Sequence, residues 1–337
     1  MPTGTVLRST GSHYNVRADD GRVLDCVARG QLRIQGFSSS NPIAVGDRVD
    51  FDHVLNAAQG TITHVHDRRN YLVRRSVNLS HHKSVIAANI DQALLMITLA
   101  RPRTSCGFID RFLVTAEAYE VPCVLLFNKL DAYDAAELAD LEELEATYRA
   151  IGYHTVRTSA ATGLGVEEVK ALLHGKTSLL SGHSGVGKST LINLIDPALH
   201  LRTAEVSANT TKGQHTTTFA EMFEIKSASS KFASGESRQL TSLADLQTRR
   251  LAASSFIIDT PGIKGFGLVD IDAATIADQF PEFFRLKGRC RFTSCSHLHE
   301  PGCAVLVALE KGEVAHSRHR SYADMVNGVD DEKSYRE

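Results

Sequence analysis

A glycine-rich segment at residues 182–189 carries the clearest chemical signal in the sequence. Its pattern, G-x-x-x-x-G-K-S, follows the strand-like run TSLLS and opens the helix-like run KSTLINLI, which is the context of a phosphate-binding loop. Such a loop wraps its backbone amides around phosphates, while Lys188 can reach the β- and γ-phosphates and the Ser189 hydroxyl can ligate Mg²⁺. The predicted contacts to a nucleotide from this segment are Gly182, His183, Ser184, Gly185, Val186, Gly187, Lys188, Ser189 and Thr190.

The run Asn128-Lys129-Leu130-Asp131, which follows the apolar segment CVLLF, favours a guanine base. The Asp131 carboxylate can accept both the ring N–H and the exocyclic amino group of guanine, whereas adenine would leave it desolvated and unpaired. We expect the Lys129 stem to lie along the base and Asn128 to brace the loop. A solvated loop and an ATP-specific site are the alternatives to this interpretation.

A second short run, Thr158-Ser159-Ala160, also follows a predicted strand. Its backbone amides at Ser159 and Ala160 are placed to donate to guanine O6. Because such tripeptides are common, this run adds only weak support to the prediction of a guanine site.

The run DTPG follows the buried segment SFII and is expected to face the γ-phosphate. Asp259 is predicted in the Mg²⁺ shell, through water, and the amide of Gly262 on the γ-phosphate. A threonine between the two phosphate motifs normally completes the Mg²⁺ shell when a triphosphate is bound, and we favour Thr217. The three candidates are Thr216, Thr217 and Thr218.

The order of these motifs is unusual. In an ordinary GTPase the phosphate-binding loop comes first, yet here the guanine motifs at 128–160 precede it. A site assembled in space survives circular permutation if the original termini were close. The segments 205–220 and 259–270 then lead into the C-terminal part of the chain, so loss of the γ-phosphate could reposition that part.

Three cysteines and a histidine with the spacing C-x4-C-x-H-x5-C predict a metal site. Cys290, Cys295, His297 and Cys303 would give Zn²⁺ a closed tetrahedral shell, which makes a structural role fit better than a catalytic one. His299 is a substitute for His297 that we rank lower, and unligated reduced cysteines are the alternative. Such a metal would hold together a small domain with little core of its own.

Alternating apolar residues with regular Gly and Asp turns predict that residues 1–75 form a five-stranded barrel of the oligonucleotide/oligosaccharide-binding (OB) type. Repeating strand–helix units predict a doubly wound sheet in a permuted P-loop GTPase domain over 76–270, interrupted by a polar insertion at 227–250. Residues 271–337 are expected to form a helical zinc-binding domain. The fold class is therefore multidomain α/β.

Composition and charge limit the function classes. The 337 residues contain no apolar run of membrane-spanning length, and the N-terminus lacks a secretory pattern, so we expect a cytoplasmic protein without a membrane partner. The net charge is −2, yet residues 1–90 hold 11 Lys and Arg against 7 Asp and Glu. This cationic first region is compatible with phosphate binding and equally with a solvated surface.

The permuted order, the OB-like barrel and the Cys/His segment together resemble the ribosome small-subunit-dependent GTPase A family (RsgA, also called YjeQ). The runs IDR at 109–111, GQHTTT at 213–218, DTPG, and FPEF at 280–283 add to the resemblance. It implies a GTPase of late small-subunit maturation that is stimulated by that subunit, with RNA contacts from the barrel and the zinc domain. It also implies that His215 orients the attacking water. The 227–250 insertion is longer than this family leads us to expect.

Two other functions are compatible with the same motifs. One is a GTPase that acts on another RNA or on a metal cofactor, and the other is an RNA-binding checkpoint in which the nucleotide only sets the conformation. The first alternative and the family prediction both include binding of GTP and GDP. They differ because only the family prediction includes affinity for small ribosomal subunits. We expect a monomer.

Overall fold

The computed structural model describes residues 1–30, 42–52, 59–75, 83–201, 220–226, 254–260 and 271–329. The predicted insertion at 227–250 lies outside these residues.

The N-terminal region is a closed five-stranded barrel. Its order is β1-β2-β3-β5-β4, β4 pairs again with β1, and β3 and β5 run parallel. Alternate residues such as Val6 on β1 and Tyr14 and Val16 on β2 are buried in its core, as expected for strands with one buried face. This confirms the OB-type barrel. The strands are β1 (Thr3–Ser9), β2 (His13–Ala18), β3 (Val23–Ala28), β4 (Arg48–Asp52) and β5 (Gly60–Val65).

A hairpin follows the barrel. The basic run RRNYLVRR contains β6 (Tyr71–Arg75), which pairs with β7 (Lys83–Ala88). The hairpin contacts the barrel where Val45 bridges Ala87. At the adjacent Gly46, with φ of +89°, an added Cβ would lie 2.1 Å from the Ala88 carbonyl oxygen, so only glycine allows this close approach.

The central region is a sheet covered by helices on both faces. Its order is β10-β9-β8-β11-β13-β12, and all neighbours are parallel except β12 and β13. Its strands are β8 (Gln92–Ile97), β9 (Cys123–Phe127), β10 (His154–Arg157), β11 (Thr177–Ser181), β12 (Glu221–Ile225) and β13 (Ser255–Asp259). Its helices are α1 (Cys106–Ala118), α2 (Ala135–Ile151), α3 (Val166–Leu173) and α4 (Lys188–Ile195).

Strand β8 shows why this sheet is doubly wound. All six of its residues are buried, and the five apolar ones alternate between two apolar cores. Leu95 packs with α1 and α2 on one face, and Leu94 packs with α3 and α4 on the other. A strand buried on both faces reads as a continuous apolar run, so the predicted doubly wound sheet is confirmed.

Local signals set the ends of the helices around the sheet. The Ser105 side chain accepts a hydrogen bond from the Phe108 amide at the start of α1. Asp134 and Glu137 form a capping box at the start of α2, and Gly152 ends that helix with a φ of +116°. A glycine in the left-handed conformation is a common end for a helix.

Strands β12 and β13 are antiparallel neighbours, with Ile225 paired to Ser255. The segment that contains the 227–250 insertion therefore joins two adjacent strands of one hairpin. Extra length at the tip of a hairpin leaves the register of the sheet unchanged. Strand β12 also pairs with β1 at Arg8 and Glu221, so the barrel and the central sheet are hydrogen-bonded to each other.

The C-terminal region is helical and packs on α1. It contains a 3-10 helix (Ala273–Gln279), α5 (Pro281–Phe284), α6 (Ala304–Glu310) and α7 (His316–Val326). Its apolar core is built around Phe280, Phe283 and Tyr322, and it includes Val114 of α1. This agrees with the predicted helical C-terminal region.

A buried ionic network fixes this region to the central sheet. The Arg318 guanidinium on α7 donates to Asp110 of α1 at 2.6 Å and to Glu282 at 2.7 and 3.2 Å. The Tyr148 hydroxyl donates to the same Asp110 oxygen at 2.7 Å, and the guanidinium lies 4.3 Å from the centroid of the Phe280 ring. The runs IDR and FPEF, which the sequence analysis left without a role, meet here.

Candidate nucleotide site and metal centre

The predicted nucleotide motifs begin where parallel strands of the central sheet end. Strands β8, β9, β10, β11 and β13 place their carboxyl ends at one edge of the sheet. The guanine run follows β9, the Thr-Ser-Ala run follows β10, the glycine-rich loop follows β11, and Asp259 closes β13. Ligands of open α/β sheets bind at this edge, so the structure brings these motifs together although they span more than 130 residues of sequence.

The glycine-rich loop has a shape that requires its glycines. Gly182, Gly185 and Gly187 have φ angles of +143°, +82° and +104°, in the region that L-residues rarely adopt. A Cβ at Gly187 would lie 2.5 Å from the Asn128 side-chain nitrogen, and one at Gly182 would lie 2.6 Å from the Met96 carbonyl oxygen.

The Lys188 side chain lies within this loop. Its Nζ donates to the carbonyl oxygens of Gly182 and His183, both at 2.8 Å, and the residue is 8% exposed. Burial lowers the pKa of Lys188 to about 8, while the Asp259 carboxylate opposes this shift. An ammonium group held beside the loop amides is suited to binding phosphate oxygens.

The other residues of the loop differ in exposure. The His183 ring is buried against Phe108 of α1, with ring centroids 3.9 Å apart, and the His183 carbonyl oxygen accepts from the Lys188 ammonium. Ser184 and Ser189 are half-buried, and Thr190 is exposed on α4. At the end of β13, Asp259 is 3% exposed and Thr260 donates to the Leu180 carbonyl oxygen at 3.1 Å.

Asn128 joins three of the predicted motifs. Its side-chain nitrogen donates to the Val186 carbonyl oxygen of the glycine-rich loop at 2.7 Å. Its side-chain oxygen accepts from the Thr158 hydroxyl and from the Ala160 amide, each at 3.1 Å. The side chain is buried, and its bracing role stays a prediction.

The side chains around Asp131 lie at the end of the site that the sequence predicts for the guanine base. The Ser159 hydroxyl donates to the exposed Asp131 carboxylate at 2.5 Å. Lys129 has a left-handed backbone with φ of +69°, and its ammonium group donates to the Arg101 carbonyl oxygen. Burial, followed by the charge of Arg101, lowers the pKa of Lys129.

Three predicted site residues, His215, Thr217 and Gly262, lie outside the described residues, as do Thr216 and Thr218. Their roles stay predictions from the sequence.

The predicted metal ligands lie together in the C-terminal region. The ligand atoms of Cys290, Cys295, His297 and Cys303 are all within 4.8 Å of one another. His297 Nδ1 lies 3.6 Å from Cys290 Sγ and 3.4 Å from Cys303 Sγ. A tetrahedral zinc ion with ordinary bond lengths would separate such nitrogen and sulfur atoms by about 3.5 Å. His299 is exposed and lies outside this group.

Surrounding hydrogen bonds hold the loop that carries these ligands. Glu300 accepts from the Ser296 amide at 2.7 Å, from the Ser296 hydroxyl at 2.5 Å, and from two further amides of the loop. These bonds, those from Ser296 first, lower the pKa of Glu300. On α7, His319 contacts the His297 carbonyl oxygen at 2.8 Å and Tyr322 donates to that of Ser296 at 2.5 Å. Such outer contacts orient metal ligands.

Comparisons with known proteins agree with this geometry. A sequence model of the RsgA GTPase family matches residues 65–231, and one of the RsgA N-terminal domain matches residues 3–62. A protein of Christiangramia forsetii named small ribosomal subunit biogenesis GTPase RsgA is 49% identical over 97% of this chain and 96% of its own length. The chain belongs to the RsgA GTPase family. It is therefore a GTP-hydrolysing enzyme, and the family resemblance seen in the sequence is confirmed.

Other relatives also match over nearly the full length of both chains. A Bacteroides fragilis protein with the same name is 45% identical over 98% of each chain. The crystal structure of YjeQ from Thermotoga maritima has a TM-score of 0.72 and 33% identity, covering 97% of this chain and 98% of that one. The structure of YloQ, described as a circularly permuted GTPase, has a TM-score of 0.66 and 25% identity, covering 98% and 95%. The permuted GTPase fold is confirmed.

Sequence reasoning missed two features of this RsgA-family site. One is the loop at 98–104, whose Pro102 lies beside Gly185 of the glycine-rich loop. The other is Tyr133, which hydrogen-bonds the guanine run. The only available signal was an aromatic residue two positions after Asp131.

Among the described helices, none is long and apolar enough to cross a membrane.

Proposed function

We propose that this GTPase acts in the biogenesis of the small ribosomal subunit, that it binds the subunit and its rRNA, and that the subunit stimulates its GTP hydrolysis. The observation that carries this proposal is the 49% identity, over nearly the whole length of both chains, to a protein named for small-subunit biogenesis. Full-length similarity includes the barrel and the C-terminal region, which flank the catalytic domain and provide the surfaces for a partner.

In this proposal the guanine base lies against the Lys129 stem, with its ring N–H and amino group on Asp131. The Ser159 hydroxyl already donates to one oxygen of that carboxylate and keeps it aimed. The backbone amides of Ser159 and Ala160 receive guanine O6. Asn128 holds this loop against the glycine-rich loop, so the base and phosphate sites keep a fixed separation.

The glycine-rich loop and Lys188 bind the phosphates. The Lys188 ammonium, which now donates to two carbonyl oxygens of its own loop, would exchange these partners for phosphate oxygens. Ser189, Thr217 and Asp259 are the residues we assign to Mg²⁺, which when bound neutralises charge on the β- and γ-phosphates. The buried Asp259 at the end of β13 is the kind of oxygen donor this ion prefers.

Hydrolysis then depends on residues that face the γ-phosphate. We assign His215 to orienting the attacking water and the Gly262 amide to a γ-phosphate oxygen. Phosphoryl transfer is catalysed mainly by positioning and charge neutralisation. An enzyme whose site is completed only on the ribosome would therefore hydrolyse GTP slowly on its own. Binding of the small subunit would then raise the turnover of GTP.

The donor set of the C-terminal region fits a structural Zn²⁺, one per chain. Cys290, Cys295, His297 and Cys303 offer four strong ligands at distances that suit a tetrahedral ion. Burial lowers the pKa of His297, which favours the neutral imidazole that ligates metals. We also propose that the barrel (1–75) and the zinc domain (271–337) flank the GTPase domain (76–270) as RNA-contacting units, and that the protein is a cytoplasmic monomer.

The proposal is tested by sedimentation of the full-length protein with purified, salt-washed ribosomal subunits. Binding should be seen with small subunits in the presence of a non-hydrolysable GTP analogue, be weaker with GDP, and be absent with large subunits. ATP in place of the analogue is the nucleotide control. Equal binding to both subunits, or none to either, would contradict the assignment of the partner and leave the GTPase assignment standing.

A further inference from the structure

We propose that Tyr133 is a positioning residue for guanine selectivity, because its hydroxyl ties residues 128–132, the recognition loop, to the loop at 98–104. The inference rests on the guanine site proposed above and adds to it a residue outside the nucleotide motifs. Tyr133 is placed to act through the backbone of the recognition loop without touching the nucleotide.

The Tyr133 hydroxyl has a partner on each of two loops. It donates to the Asn128 carbonyl oxygen at 2.7 Å and accepts from the Leu99 amide at 2.9 Å. Burial raises the pKa of this phenol, so it stays protonated and able to donate at neutral pH. One atom therefore joins the end of β9 to the chain that leaves β8.

The loop at 98–104 is a firm anchor for this contact. Its two ends are closed by hydrogen bonds from the Thr104 amide to the Thr98 carbonyl oxygen at 2.8 Å and from the Thr98 amide to the Thr104 hydroxyl at 3.2 Å. Pro102 in the same loop lies beside Gly185. The anchor therefore contacts the phosphate end of the site as well as the guanine end.

Two further contacts join the same segments. The Arg101 side chain donates to the Ala132 carbonyl oxygen at 2.6 Å and to Glu137 at 2.9 Å, and the Lys129 ammonium donates to the Arg101 carbonyl oxygen. Arg101 is exposed and Lys129 is half-buried, so solvent weakens these contacts. Tyr133 supplies the contact that is partly buried and joins two backbone groups.

These contacts matter at the exposed end of the recognition loop, where the other support is a 3.4 Å hydrogen bond from the Leu130 amide to the Thr158 carbonyl oxygen and the packing of Leu130 against the apolar core. Asp131 and Ala132 are exposed, and Asp131 is held by one hydrogen bond from Ser159. Asn128, at the start of the loop, is held by the glycine-rich loop. Loss of the Tyr133 hydroxyl should thus misplace Asp131, which reads the guanine amino group, while Lys188 and the phosphate contacts stay in place.

The test compares GTP with ITP, whose base lacks the amino group that Asp131 accepts from. In the Tyr133→Phe variant of the full-length protein we expect the Kd for GTP to rise about three- to tenfold, the range that one lost hydrogen bond gives. The Kd for ITP, whose base keeps the ring N–H that Asp131 also accepts from, should rise by a smaller factor than the Kd for GTP. The kcat at saturating GTP should be unchanged, because the phosphate site is intact.

Tyr153→Phe is the matched control, since Tyr153 donates to Glu117 at 3.0 Å away from the site. It should leave both Kd values unchanged. Equal weakening of GTP and ITP by Tyr133→Phe, or no weakening of either, would overturn the inference. If the wild-type protein itself does not prefer GTP over ITP, the proposed guanine site is wrong, which separates that failure from the failure of the Tyr133 role.

Discussion

Changing Arg318 to methionine removes the positive charge from a buried ionic network and keeps much of the apolar stem. The guanidinium is 1% exposed, and its partners Asp110 and Glu282 are 0% and 8% exposed. Burial opposes its charge, yet the two carboxylates raise the pKa of Arg318 well above its ordinary value. The variant would leave two carboxylates in the interior without their cation.

The expected loss follows from this burial. Removing one partner of a buried ion pair costs about 3–5 kcal/mol. Because Arg318 serves two carboxylates, we expect the upper part of that range, and the C-terminal region should separate from α1 more often than it does in the wild type. A triple variant, Arg318→Met with Asp110→Asn and Glu282→Gln, removes all three charges and should recover about half of the loss or more.

Thiol modification followed by mass spectrometry measures this opening on peptides that contain Cys290, Cys295 and Cys303. If modification proceeds through opening of the C-terminal region, a loss of about 4–5 kcal/mol raises its rate by about 10³- to 5 × 10³-fold. Arg320→Met, an exposed position on the same helix, is the control and should change the free energy of opening by less than about 0.5 kcal/mol. Equal rates for the two single variants would refute the reasoning.

Three further predictions concern the nucleotide site and the metal centre. Burial lowers the pKa of Lys188 to about 8. Bound phosphates would keep the Lys188 ammonium protonated, so above pH 8 the protein must take up a proton when GTP binds. The Kd for GTP should therefore rise about tenfold between pH 7 and pH 9, and a flat profile in a titration series would contradict this. Asp131→Asn loses an acceptor for guanine and should weaken GTP binding about 10- to 100-fold; an unchanged ratio of GTP to ATP affinity would make the guanine assignment wrong. Metal analysis should find one zinc per wild-type chain. We expect His297→Ala to lose the zinc and His299→Ala to keep it. The reverse result would mean that His299 is the ligand and His297 is not.

Much of the site could be predicted because its signals are local. A strand buried on both faces, such as β8, reads as an apolar run, and glycines at fixed spacing mark a loop whose backbone must approach phosphates. The metal ligands likewise fall within fourteen residues of sequence. Each of these patterns carries its physical reason in a short segment.

The contacts that join the domains could not be predicted in this way. Arg318 lies in the polar run HSRHRSYADMV, which is typical of a solvated helix, and its partner Asp110 is 208 residues away. Arginine is almost never fully buried unless it is paired, and no local pattern identifies the pair. Strand β12 was missed because its burial does not alternate, and Tyr133 because its partners are backbone groups.

The most direct test of the proposed function is GTP turnover by the full-length protein, alone and with purified small or large ribosomal subunits. We expect slow turnover alone, stimulation of about tenfold or more by small subunits, and none by large subunits, with ATP not hydrolysed under any of these conditions. Turnover that is the same with and without small subunits would contradict the account.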